Sequence, residues 1–186
     1  MYDINSFERD LAALIGKPSV LRPFVCDGSP LECKVFIVGF NPATASSIDF
    51  WTFWRSGFGF EKAAWYKNYL SERRGLPQKT SPTRRVIEWV LEGASPVKCL
   101  ETNIHSFPTG KSTDLSATRR STEPFDFLLR SIKPSLTIAH GKPAIAHIET
   151  KQIKSRVIPV RHFSLHWSKS EARDLGRRIA DEFRNG

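Results

Sequence analysis

Cysteine is scarce and poorly arranged for chemistry. The 186-residue chain carries three, Cys26, Cys33 and Cys99, an odd and widely spaced set without a CxxC pair. That pattern excludes a disulfide framework, a zinc ribbon and a four-cysteine iron–sulfur site. Long apolar runs are lacking too, with nothing near the ~18 residues a membrane span requires. The N-terminus, Met1-Tyr2-Asp3-Ile4-Asn5, has neither the basic nor the apolar stretch of a signal peptide. Also absent is Gly-x-Ser-x-Gly, the strand-to-helix turn that exposes a nucleophilic serine. The expectation is a reduced, cytoplasmic protein forming one domain over residues 1–186, long enough to bury a core.

Acidic residues are in deficit. Asp and Glu number 19 against 28 Lys and Arg, a formal net charge of +9. Such a balance is the electrostatic footprint of a polyanion binder, although it also serves solubility alone. The basic residues fall in pairs, Arg73-Arg74, Arg84-Arg85, Arg119-Arg120 and Arg177-Arg178, with no basic tail. Any basic surface must therefore be folded.

Four short apolar runs read as strands: 34–40, 97–104, 136–140 and 156–162. The first and third are nearly continuous in apolar residues, as strands covered on both faces should be. Helical patterns alternate with them. Ser81-Pro82 pairs an N-cap with proline at the first helical position and opens a helix over 83–92. Thr122-Glu123-Pro124 opens another that carries Phe125, Leu128, Leu129 and Ile132. Ser168 to Glu171 is a capping box ahead of Ala172, Leu175, Ile179 and Phe183. An N-terminal helix is expected over 6–15. The alternation predicts an α/β chain, a three-layer α/β/α sandwich around a four-stranded, mostly parallel sheet.

Such sheets bind ligands at the carboxyl ends of their strands. Here those ends are Gly39-Phe40-Asn41-Pro42, Thr102-Asn103-Ile104-His105, Ala139-His140-Gly141-Lys142 and Arg161-His162-Phe163-Ser164, each with an amide or an imidazole. Residues 50–69 hold nine aromatics, including Phe50, Trp51, Phe53 and Trp54. Helically spaced rings such as Trp65 and Tyr69 suit a core. The cluster at 50–54 is too dense for one face, and predicts that some of its rings line a cleft for stacking. Thr109-Gly110-Lys111-Ser112 imitates the end of a phosphate-binding P-loop, but the first glycine of that motif is His105 here. His162 and His166 have zinc spacing, yet Phe163 stands where a zinc protease needs glutamate. No metal or cofactor is expected.

Together these strand ends resemble the uracil-DNA glycosylase superfamily. Gly39-Phe40-Asn41-Pro42 is similar to the Gly-x-Asn-Pro-Gly motif of its mismatch-specific and single-strand-selective branches. Thr102-Asn103-Ile104-His105 is similar to the second-strand motif, and Pro134 to Ala144 to the "proline, apolar strand, Gly-Lys-x-Ala" segment of bacterial branches. His162-Phe163-Ser164 stands where the family has His-Pro-Ser. Ala43 replaces a glycine of the first motif, Asn41 stands for the aspartate of the fastest branch, and Phe163 replaces the proline. The resemblance covers roughly residues 34 to 183. It implies a monomeric DNA base-excision repair hydrolase that cleaves the N-glycosidic bond of a flipped uracil or related deaminated base. In that reading His162 donates to the base oxygen and Asn41 holds the attacking water. Asn103 reads the base edge, and Phe40, Pro42 and one of Phe50, Trp51 or Phe53 enclose it. Lys111, Arg119, Arg120, Ser164, His166 and Lys169 are the DNA-binding candidates. A silent nucleic-acid-binding member of the fold and a hydrolase or transferase of free nucleosides remain alternatives.

Overall fold

The computed structural model describes residues 2–42, 48–109, 116 and 120–184. It is a mixed α/β chain whose central sheet is mostly parallel. The strands are β1 (Phe24–Val25), β2 (Val35–Gly39), β3 (Trp54–Arg55), β4 (Gly59–Phe60), β5 (Cys99–Asn103), β6 (Leu136–His140) and β7 (Arg156–Val160). The helices are α1 (Ile4–Ile15), α2 (Lys62–Glu72), α3 (Pro82–Ala94), α4 (Glu123–Ile132), α5 (Lys142–Glu149) and α6 (Lys169–Arg184). Among the described residues no helix is long and apolar enough to cross a membrane.

The central sheet has five strands, not four, in the order β1-β5-β2-β6-β7. The four expected strands are β2, β5, β6 and β7, all parallel. The fifth, β1, is two residues long and runs antiparallel along the free edge of β5. A two-residue edge strand carries too little alternation to be read from sequence, but it covers backbone groups that would otherwise be open to another chain. At the opposite edge β7 contains Pro159, tolerated because an edge strand can spare one N–H. Strands β3 and β4 form a separate two-stranded ribbon.

Alternation along the strands builds two cores. Phe36, Val38, Leu100 and Ala139 point to the side where α1, α4 and α5 bury Phe7, Leu11, Phe125, Leu128 and Ile148. Val35, Ile37, Leu136 and Ile138 point to the side where α3 and α6 bury Val86, Val90, Leu175 and Ile179. Caps close three helices, those at Ser81 and Ser168 as expected and one at Asp3 that the sequence reading did not name. Asp3 Oδ1 accepts the Ser6 N–H at 2.8 Å, and Ser81 Oγ accepts the Arg84 N–H at 3.2 Å. Ser168 and Glu171 bond reciprocally, at 2.8 and 3.1 Å. Thr122 behaves differently: its hydroxyl donates to Asp126 at 2.9 Å instead of capping.

Helices α3 and α6 touch backbone to backbone. A Cβ on Gly176 would lie 2.2 Å from Val90 O and 2.7 Å from Ala94 N, so nothing flexible is present to yield. Alanine gains ~1 kcal/mol over glycine in helix propensity, whereas overpacking a tight contact costs ~1–3 kcal/mol and more against fixed backbone. The clash wins. Gly176→Ala should lower stability by ~1–3 kcal/mol in a denaturant titration. An unchanged or higher midpoint would mean that the two helices part freely.

Candidate functional site

The parallel register brings four strand ends to one place. Gly39 pairs with Asn103, and the Val38–Ala139 pairing sets His140 beside Gly39 on its other flank. His140 pairs with Val160, so His162 follows two residues beyond. Strand order reverses at β2, whose successor β5 lies on one side and β6 on the other. This is the switch point where open α/β sheets bind ligands. A cleft of about 450 Å³ opens there, lined by Phe40, Asn41, Pro42, Asn103, His140 and His162 among others.

Glycine at position 39 is required by close approach. A Cβ there would lie 2.6 Å from Asn103 Oδ1 and 2.9 Å from His140 Nε2, both inside van der Waals contact. The loops leaving β2 and β5 are joined by backbone bonds. Gly39, Phe40 and Pro42 carbonyls accept from the N–H groups of Ile104, His105 and Thr109, each at 3.0 Å. Asn41 Nδ2 donates to Thr109 Oγ1 at 2.8 Å and to Pro42 O at 3.4 Å. That fixes the amide orientation and leaves Oδ1 as an acceptor with no partner among the described residues. Asn41 thus bonds mainly across 68 residues of sequence, not within a local Asx-turn.

Two imidazoles, His140 and His162, line the cleft and a third, His105, follows the end of β5; burial pulls the pKa of each below its ordinary value. His162 Nδ1 accepts the Ser164 N–H at 3.1 Å and lies 2.6 Å from Ser164 Oγ. With Nδ1 an acceptor, the neutral ring carries its proton on Nε2. His140 is 5% exposed, stacked on Phe163 with centroids 4.4 Å apart and met edge-on by His162 at 5.0 Å. Burial, with a smaller contribution from His162, pulls His140 down to about 3. His105, buried edge-on to Phe40 at 4.9 Å, has Nδ1 3.4 Å from Ser121 O. His166 is different: its side chain is exposed and outside the cleft lining, and its carbonyl accepts from Arg161 at 2.7 Å.

The expected stacking platform is corrected. Phe50, Trp51 and Phe53 are all buried, and none lines the main cleft. Asp49 accepts the Ser19 N–H at 2.7 Å and the Trp51 N–H at 3.2 Å, and Trp51 Nε1 donates to Gly16 O at 2.7 Å. These ties wind Phe50–Phe53 into a 3-10 turn that packs inward, with Phe50 stacked on Phe60 at 5.4 Å. Ring pairs contribute ~0.5–1.5 kcal/mol each beyond burial, so a dense aromatic run gains by clustering with itself. Phe50 and Phe53 reach only an adjoining cavity of about 20 Å³. The aromatic walls of the cleft are Phe24, Phe40, Trp65 and Tyr69.

Glu101 and Arg84 also line the cleft. Sequence reading passed over both, and over any role for His140. A carboxylate inside the otherwise uncharged Cys99–Asn103 strand was the available signal for Glu101. Of the DNA-binding candidates, Lys111 and Arg119 lie outside the described residues. Arg120 and Lys169 are exposed, and Ser164 acts on His162. None of the described candidates lines the cleft. Among the described residues no three His, Cys, Asp or Glu side chains come together as a metal site.

His140 makes stability depend on pH. Its folded pKa of about 3 lies below the ordinary 6.5, so the unfolded chain binds more protons in that interval. Stability should fall by up to ~1.4 kcal/mol per unit as pH drops from about 6.5 toward about 3, with His162 acting in the same direction. His140→Phe, which retains the stack on Phe163, should flatten this slope in urea titrations at successive pH values. An identical slope in both proteins would assign the acid sensitivity elsewhere. The chain matches no protein-family model and no curated protein, so the chemistry of the cleft is read from its own residues.

Proposed function

We propose that the protein is a DNA base-excision glycosylase of the uracil-DNA glycosylase superfamily, an α/β/α sandwich acting on uracil or a related deaminated base. One observation carries the reading. Asn41, Asn103, His140 and His162, from four successive parallel strand ends, line a single cleft at the switch point of the sheet. The net charge of +9 supports a polyanionic substrate over a small neutral nucleoside.

The chemistry follows from charge. When the C1′–N bond breaks, its electron pair stays with the departing base and positive charge develops on the sugar. A donor at the base oxygen and an oriented water then lower the barrier. His162 suits the donor role, because its Nε2–H is free to point at the base and burial keeps the ring uncharged, so no fixed cation faces the developing one on the sugar. Asn41 Oδ1 suits the orienting role, accepting a hydrogen bond from the water whose oxygen bonds to C1′ and which keeps that hydrogen as the sugar hydroxyl. That water's other proton leaves to the base or to solvent, giving free base and a sugar hydroxyl. Asn103, with one acceptor and two donors, reads the N3–H and O4 edge of a uracil-type ring. Extruding the base from its stack exposes the bond to this machinery.

Single-turnover excision on oligonucleotides carrying uracil, hypoxanthine or xanthine, developed by alkaline cleavage, tests the reading. His162→Ala should slow excision by ~10²–10³ with DNA binding nearly unchanged. His166→Ala should affect only binding or stability. The reverse ranking in folded variants would move the catalytic role to His166. Neutralising some four to six phosphates predicts a slope of log affinity against log salt of roughly −3 to −5. A slope near zero would point to free nucleosides instead.

A further inference from the structure

Two rows of the sheet face the cleft. The outer row pairs Gly39 with Asn103, and the inner row pairs Ile37 with Glu101. The inner row lies two residues, ~6.6 Å, further down the strands. A single-ring base held at Asn103 occupies the outer row and leaves the inner one unread.

The inner row is polar where a core strand is ordinarily apolar. Glu101 is 6% exposed, and Arg84 Nη1 reaches it at 2.5 Å and Glu88 at 3.1 Å. Both acidic contacts of Arg84 run through Nη1, so its Nε–H and Nη2 protons have no acceptor among the described residues. Glu101 Oε1 lies 3.3 Å from the Lys62 ammonium yet accepts no hydrogen bond. The guanidinium is held over the Trp65 ring at 4.7 Å, and Trp65 stacks on Tyr69 at 5.7 Å. The inner end of the cleft thus presents fixed donors beside a fixed acceptor, with an aromatic wall.

We propose that the cleft takes a 6-oxopurine base, with Arg84 donating to O6 and Glu101 accepting from N1–H, an inference that rests on the base-excision reading. The second ring supplies the length. With N9 and its sugar at the mouth beside Asn41 and His162, whose Nε2–H then faces N3 in place of a pyrimidine oxygen, the six-membered ring extends to the inner row, where O6 and N1–H are its far edge. A guanidinium suits the oxygen and a carboxylate suits the N–H. Adenine has the opposite pattern, an amine where O6 would be and a bare nitrogen at N1, so both inner groups would reject it. Hypoxanthine, deaminated adenine, is the lesion with this edge; guanine shares it and is set apart by its stable pairing, which raises the cost of extrusion. The mispairing of hypoxanthine lowers that cost.

The test compares single-turnover excision of hypoxanthine and uracil from otherwise identical oligonucleotides by wild type, Arg84→Met and Thr83→Phe. Calorimetric binding of free hypoxanthine and adenine runs in parallel. Thr83 lines the cleft in the first turn of α3, next in sequence to Arg84, and a larger side chain there narrows the cleft from the α3 side while leaving both partners of the ion pair in the sequence. Wild type should excise hypoxanthine and bind it in preference to adenine. Each variant should lower the ratio of hypoxanthine to uracil excision by ~10-fold or more. If Arg84→Met does not fold, Thr83→Phe decides. Uracil excision without hypoxanthine excision, or equal loss of both in folded variants, overturns the proposal and leaves base excision standing. No excision of any base, with Arg84-dependent binding of free hypoxanthine, overturns the catalytic reading and retains the purine site. Absence of both overturns both.

Discussion

The space above Gly39 governs the cleft. Strand β2 is hydrogen-bonded to β5 on one side and β6 on the other, so its backbone cannot move aside. Asn103 and His140 reach over it from both flanks, closer than any Cβ would allow. The shared edge follows from parallel pairing: four strands running the same way all end on the same side. Because the order reverses at β2, the loops that follow diverge and leave a crevice between them. Polar side chains at those ends need no long-range coordination to meet. The register alone assembles them.

Electrostatics divides the cleft into two regimes. At the mouth the ionisable groups are imidazoles, which burial holds uncharged, since ionising them would cost more than their surroundings return. Deeper, Arg84 and Glu101 pair with each other, with Glu88 and Lys62 completing the set. An isolated buried charge would be far costlier, and such a pair is kept more readily for selectivity than for stability. The exposed pairs, such as Arg161 with Glu171, add little to folding. They do fix the turn after β7: Arg161 also bonds the His166 carbonyl and lies 4.2 Å over Trp167, which steadies the segment carrying His162.

Aromatic residues are distributed by the same preference for burial. Residues 50–53 are tied to the end of α1 through Asp49, Ser19 and Gly16, and so turn inward. Trp65 and Tyr69, at helical spacing on α2, become cleft wall because α3 and Arg84 stand across from them. Trp65 and Tyr69 belong to the core as expected and also border the cleft, whereas Phe50, Trp51 and Phe53, expected at the site, lie in the core away from it. Both groups are nearly fully buried, so composition alone cannot separate them.

Local signals settled a good deal of this protein from sequence. Short apolar runs located β2, β5, β6 and β7, and helix-start signals located α3, α4 and α6, because both depend on neighbours within a few residues. Once strands alternated with helices, the strand-end rule pointed at their amides and imidazoles: Asn41, Asn103 and His162, which were given roles, line the cleft, as does His140, which was given none, while His105 does not. Only tertiary structure decided the rest. The two-residue β1 exists through its partner β5 and has no pattern of its own. The inward turn of Phe50 and Trp51 depends on the Ser19 N–H and the Gly16 carbonyl, some thirty residues away. Arg84 belongs to the cleft because Glu101, 17 residues on and in another element, neutralises it at 2.5 Å. Periodicity reports which face of an element is buried. Which buried face borders an opening is a property of how elements pack, and no single segment carries it.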